Sequence, residues 1–253
     1  MMDYQTIQLR YEPPVCFLKL FSPQTNNTIT LLMIDECLHA LAACAASMQI
    51  IVLEGLPECF CLGADFQGLH NQSTEEQDQT PERFYDLLIQ LANGAFVSIA
   101  HVRGKVNAGG LGLVAACDIV LADESATFGL SELLFDLFPA CVLPFLIRRI
   151  GFQKAHYMAL MTKAIPIQQA LDWGLVDAYE AHSEALLRKH LLRLRYLSKA
   201  GILNYKRYMA ALDNSLWQAR PLAIAANREL FSDAGNLEKI NRYVQTGQFP
   251  WES

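Results

Sequence analysis

Hydrophobic and polar positions in the first half of the chain switch repeatedly between strand-like and helix-like periods. The runs Thr6–Arg10, Val15–Phe21, Gln49–Leu53, Val97–Val102 and Ile119–Ala122 are short and rich in apolar or β-branched residues. Gln49-Ile50-Ile51-Val52-Leu53 is apolar at consecutive positions, as a strand buried on both faces of a parallel sheet must be. Glu12-Pro13-Pro14 joins the first two runs, and Pro23 with Asn26-Asn27 marks a loop. Thr30 predicts the cap of a helix reaching about Ala46, with Leu31, Ile34, Leu38, Leu41 and Ala45 on one face. Strands and helices alternating in this way predict βαβ crossovers and a layered α/β core.

The second half reads as mostly helical. Pro144–Ile150 ends at Gly151, Gln153–Met161 follows, and Ile167–Trp173 stops at Gly174. A short strand is predicted over Leu175–Tyr179. Ser183 predicts the cap of a long helix to about Ser198, with further helices over Tyr205–Leu212 and Ala219–Phe231. No internal repeat is visible, and the whole chain, 1–253, reads as one domain. The segment His70–Glu82 is rich in Gln, Ser, Thr and Glu and closes with Pro81. That composition, directly after a glycine-bearing segment, predicts a mobile lid.

Composition narrows the function classes. Half of the chain (52%) is apolar, which excludes a disordered chain. Twenty basic against 26 acidic residues give a net charge of −6, which argues against a general nucleic-acid binder. No window approaches the ~18 consecutive apolar residues of a membrane span. No basic region followed by an apolar run opens the chain, so no signal peptide is expected. The seven cysteines are odd in number and lie mostly in apolar runs, which predicts reduced thiols and a cytoplasmic location. Cys59-Phe60-Cys61 lacks a second Cys/His pair at matching spacing, so no metal is expected.

Candidate chemistry concentrates on Glu132, in Thr127-Phe128-Gly129-Leu130-Ser131-Glu132-Leu133-Leu134-Phe135. A carboxylate among apolar neighbours is poorly solvated, and its pKa tends upward toward proton-transfer work. Two glycine-bearing segments precede it: Cys61-Leu62-Gly63-Ala64-Asp65 and Asn107-Ala108-Gly109-Gly110-Leu111-Gly112. Ala64 is read as opening a short helix with Asp65 in its first turn, so that its N–H points outward. The second segment follows a strand and opens a helix, which presents backbone amides to an anionic group. Each motif alone has a structural reading: a surface glutamate, close packing at a glycine. Their order along one chain points instead to a carboxyl that moves protons beside amides that stabilise an enolate. His101 reads as a packed core histidine. His70 lies in the predicted lid. Asp136 stands one helical turn beyond Glu132, facing the same cavity or else capping a loop before Pro139. Arg188, Lys189 and Lys206 contribute to a basic face on the later helices, either solvated or docking something acidic.

Taken together, these residues resemble the crotonase (enoyl-CoA hydratase/isomerase) superfamily over nearly the whole chain. Phe60-Cys61-Leu62-Gly63-Ala64-Asp65 looks like its first oxyanion segment and Gly104 through Ala122 like its second. Phe128-Gly129-Leu130-Ser131-Glu132 looks like its second catalytic-glutamate motif. The resemblance implies a ClpP/crotonase-like spiral of ββα units over about residues 1–190, a helical C-terminal region over 191–253, and a homotrimer. It implies that the amides of Ala64 and Gly109 hold the thioester oxygen. The family's first glutamate stands three residues after the second oxyanion glycine, where this chain has Gly112. That departure counts against ordinary fatty-acid hydration.

The finer resemblance is to dehydratases of polyketide β-branching cassettes. It is carried by Val102-Arg103-Gly104-Lys105-Val106-Asn107-Ala108-Gly109-Gly110, by the block from Ser131 to Gly151, and by Thr246-Gly247-Gln248-Phe249-Pro250-Trp251. It implies dehydration of a 3-hydroxy-3-methylglutaryl group on an acyl carrier protein to the 3-methylglutaconyl thioester. The cofactor requirement is then none beyond the carrier's phosphopantetheine. The implied partners are that carrier and a companion crotonase-type decarboxylase, whose lysine eight residues after the oxyanion alanine is replaced here by Gln72. Arg103, Lys105 and His70 are the candidate partners of the substrate's far carboxylate, with Asp65, Gly110 and Asp136 as further substrate contacts. Other thioester chemistry of the family, isomerisation or decarboxylation, and a non-catalytic carrier-binding subunit are the competing readings.

Overall fold

In the computed structural model, which describes residues 3–68 and 73–252, the apolar runs become two sheets wound into a spiral. The chain begins with strands β1 (Ile7–Glu12) and β2 (Val15–Leu20) and helix α1 (Leu31–Ala45), followed by β3 (Ile50–Glu54) and β4 (Cys59–Cys61). Helix α2 (Thr74–Asn93), β5 (Val97–Val102), β6 (Lys105–Asn107) and α3 (Gly109–Ala116) come next, then β7 (Ile119–Asp123) and β8 (Thr127–Gly129). Helices α4 (Leu143–Ile150) and α5 (Phe152–Met161), strand β9 (Ile165–Pro166), helix α6 (Ile167–Asp172) and strand β10 (Ala178–Glu180) complete the core. Four helices close the chain: α7 (Ser183–Leu194), α8 (Lys199–Leu212), α9 (Ser215–Ser232) and α10 (Ala234–Thr246).

The larger sheet has the order β1-β2-β3-β5-β7-β10 and the smaller one β4-β6-β8-β9. Each turn of the spiral lays one strand in the large sheet and the next in the small sheet before a helix returns: β3-β4-α2, β5-β6-α3, β7-β8-α4. In the large sheet only β1 and β2 pair antiparallel. The consecutive apolar residues of the central strands follow from this topology. Ile50, Val52, Ile99 and Leu121 pack with Leu186 and Leu187 of α7, while Ile51, Leu53, Ala100, Val102 and Val120 enter the main core. Alternate residues therefore serve two cores. Buried among them, His101 lies between Glu54 (2.9 Å) and the Ser183 hydroxyl (2.8 Å), the packed position expected of it.

Several sequence expectations move. Thr30 caps α1 through the Met33 amide (3.2 Å), but the buried stripe is Met33, Ile34, Cys37, Ala40, Leu41 and Cys44. Leu31, Leu38 and Ala45 are only half-buried at its margin. The predicted lid becomes, from Thr74 onward, the first turns of α2, opened by a capping box between Ser73 and Glu76. Pro81 lies inside that helix, where α9 packs alongside and the Arg228 Nε donates to the Asp78 carbonyl (2.9 Å). The strand expected at Leu175–Tyr179 falls at Ala178–Glu180 and pairs with β7. Helices α8 and α9 start earlier than predicted, and α10 has no counterpart among the sequence expectations. All seven cysteines are free and buried. Among the described residues, no helix is long and apolar enough to cross a membrane, and no group of three or more His, Cys, Asp or Glu could hold a metal.

Candidate functional site

Three segments expected to act together line one cavity of about 600 Å³: Ala64-Asp65, Ala108-Gly109 and Ser131-Glu132. The first does not open a helix. Ala64 forms a parallel bridge with Ile29, whose amide donates to the Gly63 carbonyl (2.7 Å) and whose carbonyl accepts from the Asp65 amide (3.4 Å). In such a bridge the amide of the middle residue points away from the partner strand, so the Ala64 N–H is turned outward. Gly109 is the first residue of α3, and its N–H has no carbonyl one turn earlier to bind. Ala108 makes the turn from β6 into α3 at φ 51° and ψ −125°, a conformation L residues rarely adopt. Gly63 permits the two segments to meet. A Cβ on it would lie 2.5 Å from the Ala108 Cβ and 3.1 Å from the Gly109 nitrogen, and its φ of 91° favours glycine.

Glu132 opens a short 3-10 turn, Glu132–Phe135, directly after β8. Ser131 ties that turn to β6, because its hydroxyl accepts from the Asn107 side-chain amide (2.8 Å). From the other side Phe135 holds it, packed against Phe66, Tyr243 and Phe249 at ring separations of 5.5, 5.1 and 5.9 Å. Glu132 as a whole is partly accessible, but its Oε2 is sealed from solvent and has no hydrogen-bond partner among the described residues. Burial pushes its carboxyl up to about 7, against hydrogen bonds from the backbone at Glu132 and Ser131 that pull it down. Asp65 and Glu132 are the only charged side chains among the described lining residues. The rest of the wall is apolar or neutral, with Phe84 and Val142 from the main core and Phe135, Leu137, Phe231, Val244 and Phe249 from a second cluster that the C-terminal segment completes.

Gly112 does not line the cavity. A Cβ there would stand 3.0 Å from Val142, 3.4 Å from Leu88 and 3.6 Å from Phe84. Apolar side chains therefore fill the space into which a side chain at this position would point. Gly110 likewise faces inward, with the Cys61 carbonyl 2.5 Å from its Cβ position, and does not contact the cavity. Arg103 is engaged by Glu184 (3.1 Å), Lys105 is exposed on β6, and neither lines the cavity. Asp136 ends the 3-10 turn in the left-handed conformation and pairs with Lys239 on α10, so its capping role prevails over a place in the cavity. Arg188 and Lys189 are exposed on α7. Lys206 is not available for docking: α8 turns it inward, 7% exposed, onto Asp118 (2.8 Å) and the Phe96 carbonyl (3.0 Å). A buried ammonium needs such a countercharge. His70 and Gln72 lie outside the described residues.

Sequence reasoning missed Thr28, Asn227 and Tyr243, which also line the cavity. Only the aromatic ending Phe249-Pro250-Trp251 could have signalled that the C-terminus closes it. A second hollow of about 890 Å³ lies between α3, α4 and α8, but its buried cations are already paired, Lys206 with Asp118 and Arg149 with Asp177 (2.6 Å). A single carboxyl of raised pKa beside two outward amides can take a proton next to a carbonyl while its oxygen becomes anionic.

Comparison with known proteins identifies the family. Residues 10–253 match the enoyl-CoA hydratase/isomerase family. The bacillaene synthase dehydratase PksH of Bacillus subtilis is 55% identical over 255 residues, covering 100% of this chain and 98% of that protein. The mevalonyl-coenzyme A hydratase sidH of Aspergillus fumigatus is 32% identical over 69% of this chain and 66% of its own length. The crystal structure of a Bacillus subtilis protein described as a polyketide biosynthesis enoyl-CoA hydratase (pksH) superposes with a TM-score of 0.94. It is 54% identical and covers 98% of this chain and 100% of that one.

Proposed function

The chain belongs to the enoyl-CoA hydratase/isomerase family, and from that premise we propose that it dehydrates 3-hydroxy-3-methylglutaryl-acyl carrier protein to the 3-methylglutaconyl thioester during polyketide β-branching. The observation that carries the reading is Glu132, its carboxyl buried and raised in pKa in the cavity that the Ala64 and Gly109 segments also line. The full-length identity to a polyketide dehydratase supports the substrate class.

In this reading the thioester oxygen accepts from the Ala64 and Gly109 amides. Ionised Glu132 removes an α proton, and the enolate is held by those two donors. The tertiary 3-hydroxyl leaves as water, taking its proton from the same Glu132, so the elimination is syn. With Gly112 the site lacks the second carboxylate that would hold a water for ordinary hydration, and apolar side chains crowd the position where it would start. With Arg103 and Lys105 outside the cavity, the substrate's far carboxylate falls to neutral donors such as Asn227 of α9. The phosphopantetheine arm delivers the substrate, and the reaction requires no metal or nucleotide. Arg188 and Lys189 meet the acidic carrier. A crotonase-type decarboxylase would take the product, and the exposed Tyr205, Tyr208, Leu212, Trp217 and Leu222 of α8 and α9 supply the face of a homotrimer.

Glu132→Gln tests the reading at its centre. Turnover of the carrier-bound substrate should fall at least ~10³-fold while the circular dichroism spectrum stays native. Activity near that of the wild-type protein would sink the assignment.

A further inference from the structure

Buried polar atoms in folded proteins nearly always have partners, so each orphan calls for a reason. Among the described residues three buried side-chain atoms lack one: Thr28 Oγ1, Gln49 Oε1 and Glu132 Oε2. Two of the three, on Thr28 and Glu132, belong to residues that line the same cavity, whereas Gln49 does not. The Glu132 orphan is explained by its chemistry, and the Thr28 orphan needs an explanation of its own.

Thr28 directly precedes Ile29, the residue hydrogen-bonded to Gly63 and bridged to Ala64. It therefore lies on the strand-like segment that flanks one of the two outward amides. The cavity wall around it is polar and open, with Gln24, Thr25, Asn26 and Gln67 all exposed, whereas the wall made by Phe135, Phe231 and Phe249 is aromatic. A thioester arm carrying amides fits the first side, and an acyl group fits the space beside Glu132. The hydroxyl forfeits no hydrogen bond when it rotates about χ1 toward a ligand, because it has none to lose.

Building on the carrier-arm reading above, we propose that the Thr28 hydroxyl is a substrate-binding donor that hydrogen-bonds a carbonyl oxygen of the pantetheine thioester arm. The acceptor is the thioester carbonyl or an amide carbonyl further along the arm. The interaction exchanges an unsatisfied hydroxyl for a satisfied one, so it strengthens binding without stabilising the free protein. It also gives Thr28 a signature opposite to that of a structural threonine.

Calorimetric titration of the full chain with acetyl-pantetheine, which carries the arm but no group to eliminate, tests this directly. Thr28→Val keeps the shape and removes the donor; its affinity should fall about 3- to 10-fold. Its Tm should hold or rise, and Thr28→Ser should bind within about twofold of wild type. With acetyl-N-acetylcysteamine, a shortened arm, the Thr28→Val defect persists if the thioester carbonyl or the first amide is the acceptor and vanishes if the distal amide is. Valine-variant affinity equal to that of the wild-type protein overturns the proposal. So does a variant whose Tm falls together with its affinity, since the hydroxyl would then belong to the fold's own bonding. No binding by the wild-type protein would overturn the carrier-arm reading itself.

Discussion

Burial holds the Glu132 carboxyl at about 7, well above the 4.5 of a free glutamate. The sign of its effect on stability follows. The fold favours the neutral acid, a contribution fully present below about pH 4.5 and lost as pH rises through about 7. Above that range the buried charge costs the native state on the order of 1–3 kcal/mol. Glu132→Gln should therefore melt close to the wild-type protein at pH 5 and about 2–8 °C higher at pH 8, measured by differential scanning calorimetry. A gap that does not change with pH would contradict a raised pKa. As a base, the residue must be ionised, so kcat/KM should climb with pH through about 7. Gly112 gives a prediction of the opposite kind. Introducing the family's missing carboxylate as Gly112→Glu drives a charged side chain against Val142, Leu88 and Phe84. Thermal melts should show a loss of roughly 2–4 kcal/mol and no gain in hydration activity.

At the level of elements, the strand–turn–helix unit around Asn107 to Gly112 and the position of Glu132 were legible in the sequence, because glycine and an isolated acid stand out from an apolar background. The small sheet was not: β4, β6 and β8 are three residues each and β9 two, too short to show a period. Helix α2 was hidden by its polar first turns and by Pro81, which local chemistry reads as a stop and packing against α9 overrides. Helix α10 was missed for a similar reason. Gly235 and Asn236 open it, and its capping comes from Asp233, which accepts from the Asn236 amide (2.9 Å). That helix matters to the site, since Tyr243 and Phe249 pack on Phe135 behind the Glu132 turn. Removing this support with Phe249→Ala should lower kcat about 5- to 20-fold with the overall fold retained, as read from steady-state kinetics beside a thermal melt. Unchanged kcat would show that the turn holds Glu132 in place without the C-terminal aromatics.

For the whole molecule, exposed apolar side chains of α8 and α9 and exposed basic residues of α7 are the surfaces on which the proposed trimer and carrier docking can be tested. Light scattering after size exclusion should return three copies of the 28.3 kDa chain, and Leu222→Asp with Tyr208→Asp should shift it to monomer. Reversing charge at Arg188 and Lys189 should raise KM for carrier-bound substrate several-fold and leave KM for a pantetheine thioester unchanged. Equal effects on both would move carrier docking elsewhere. These surfaces were only partly legible, because basic residues share one helical spacing whether they face solvent or, like Lys206, turn inward onto an aspartate. The central claim is that one carboxyl and two backbone amides suffice to eliminate water beta to a carrier-bound thioester. Mass spectrometry of 3-hydroxy-3-methylglutaryl-loaded carrier protein after incubation with the purified protein tests it most directly. The account predicts a product lighter by one water. Loss of water together with carbon dioxide, or no change in mass with a folded enzyme and competent carrier, would contradict it.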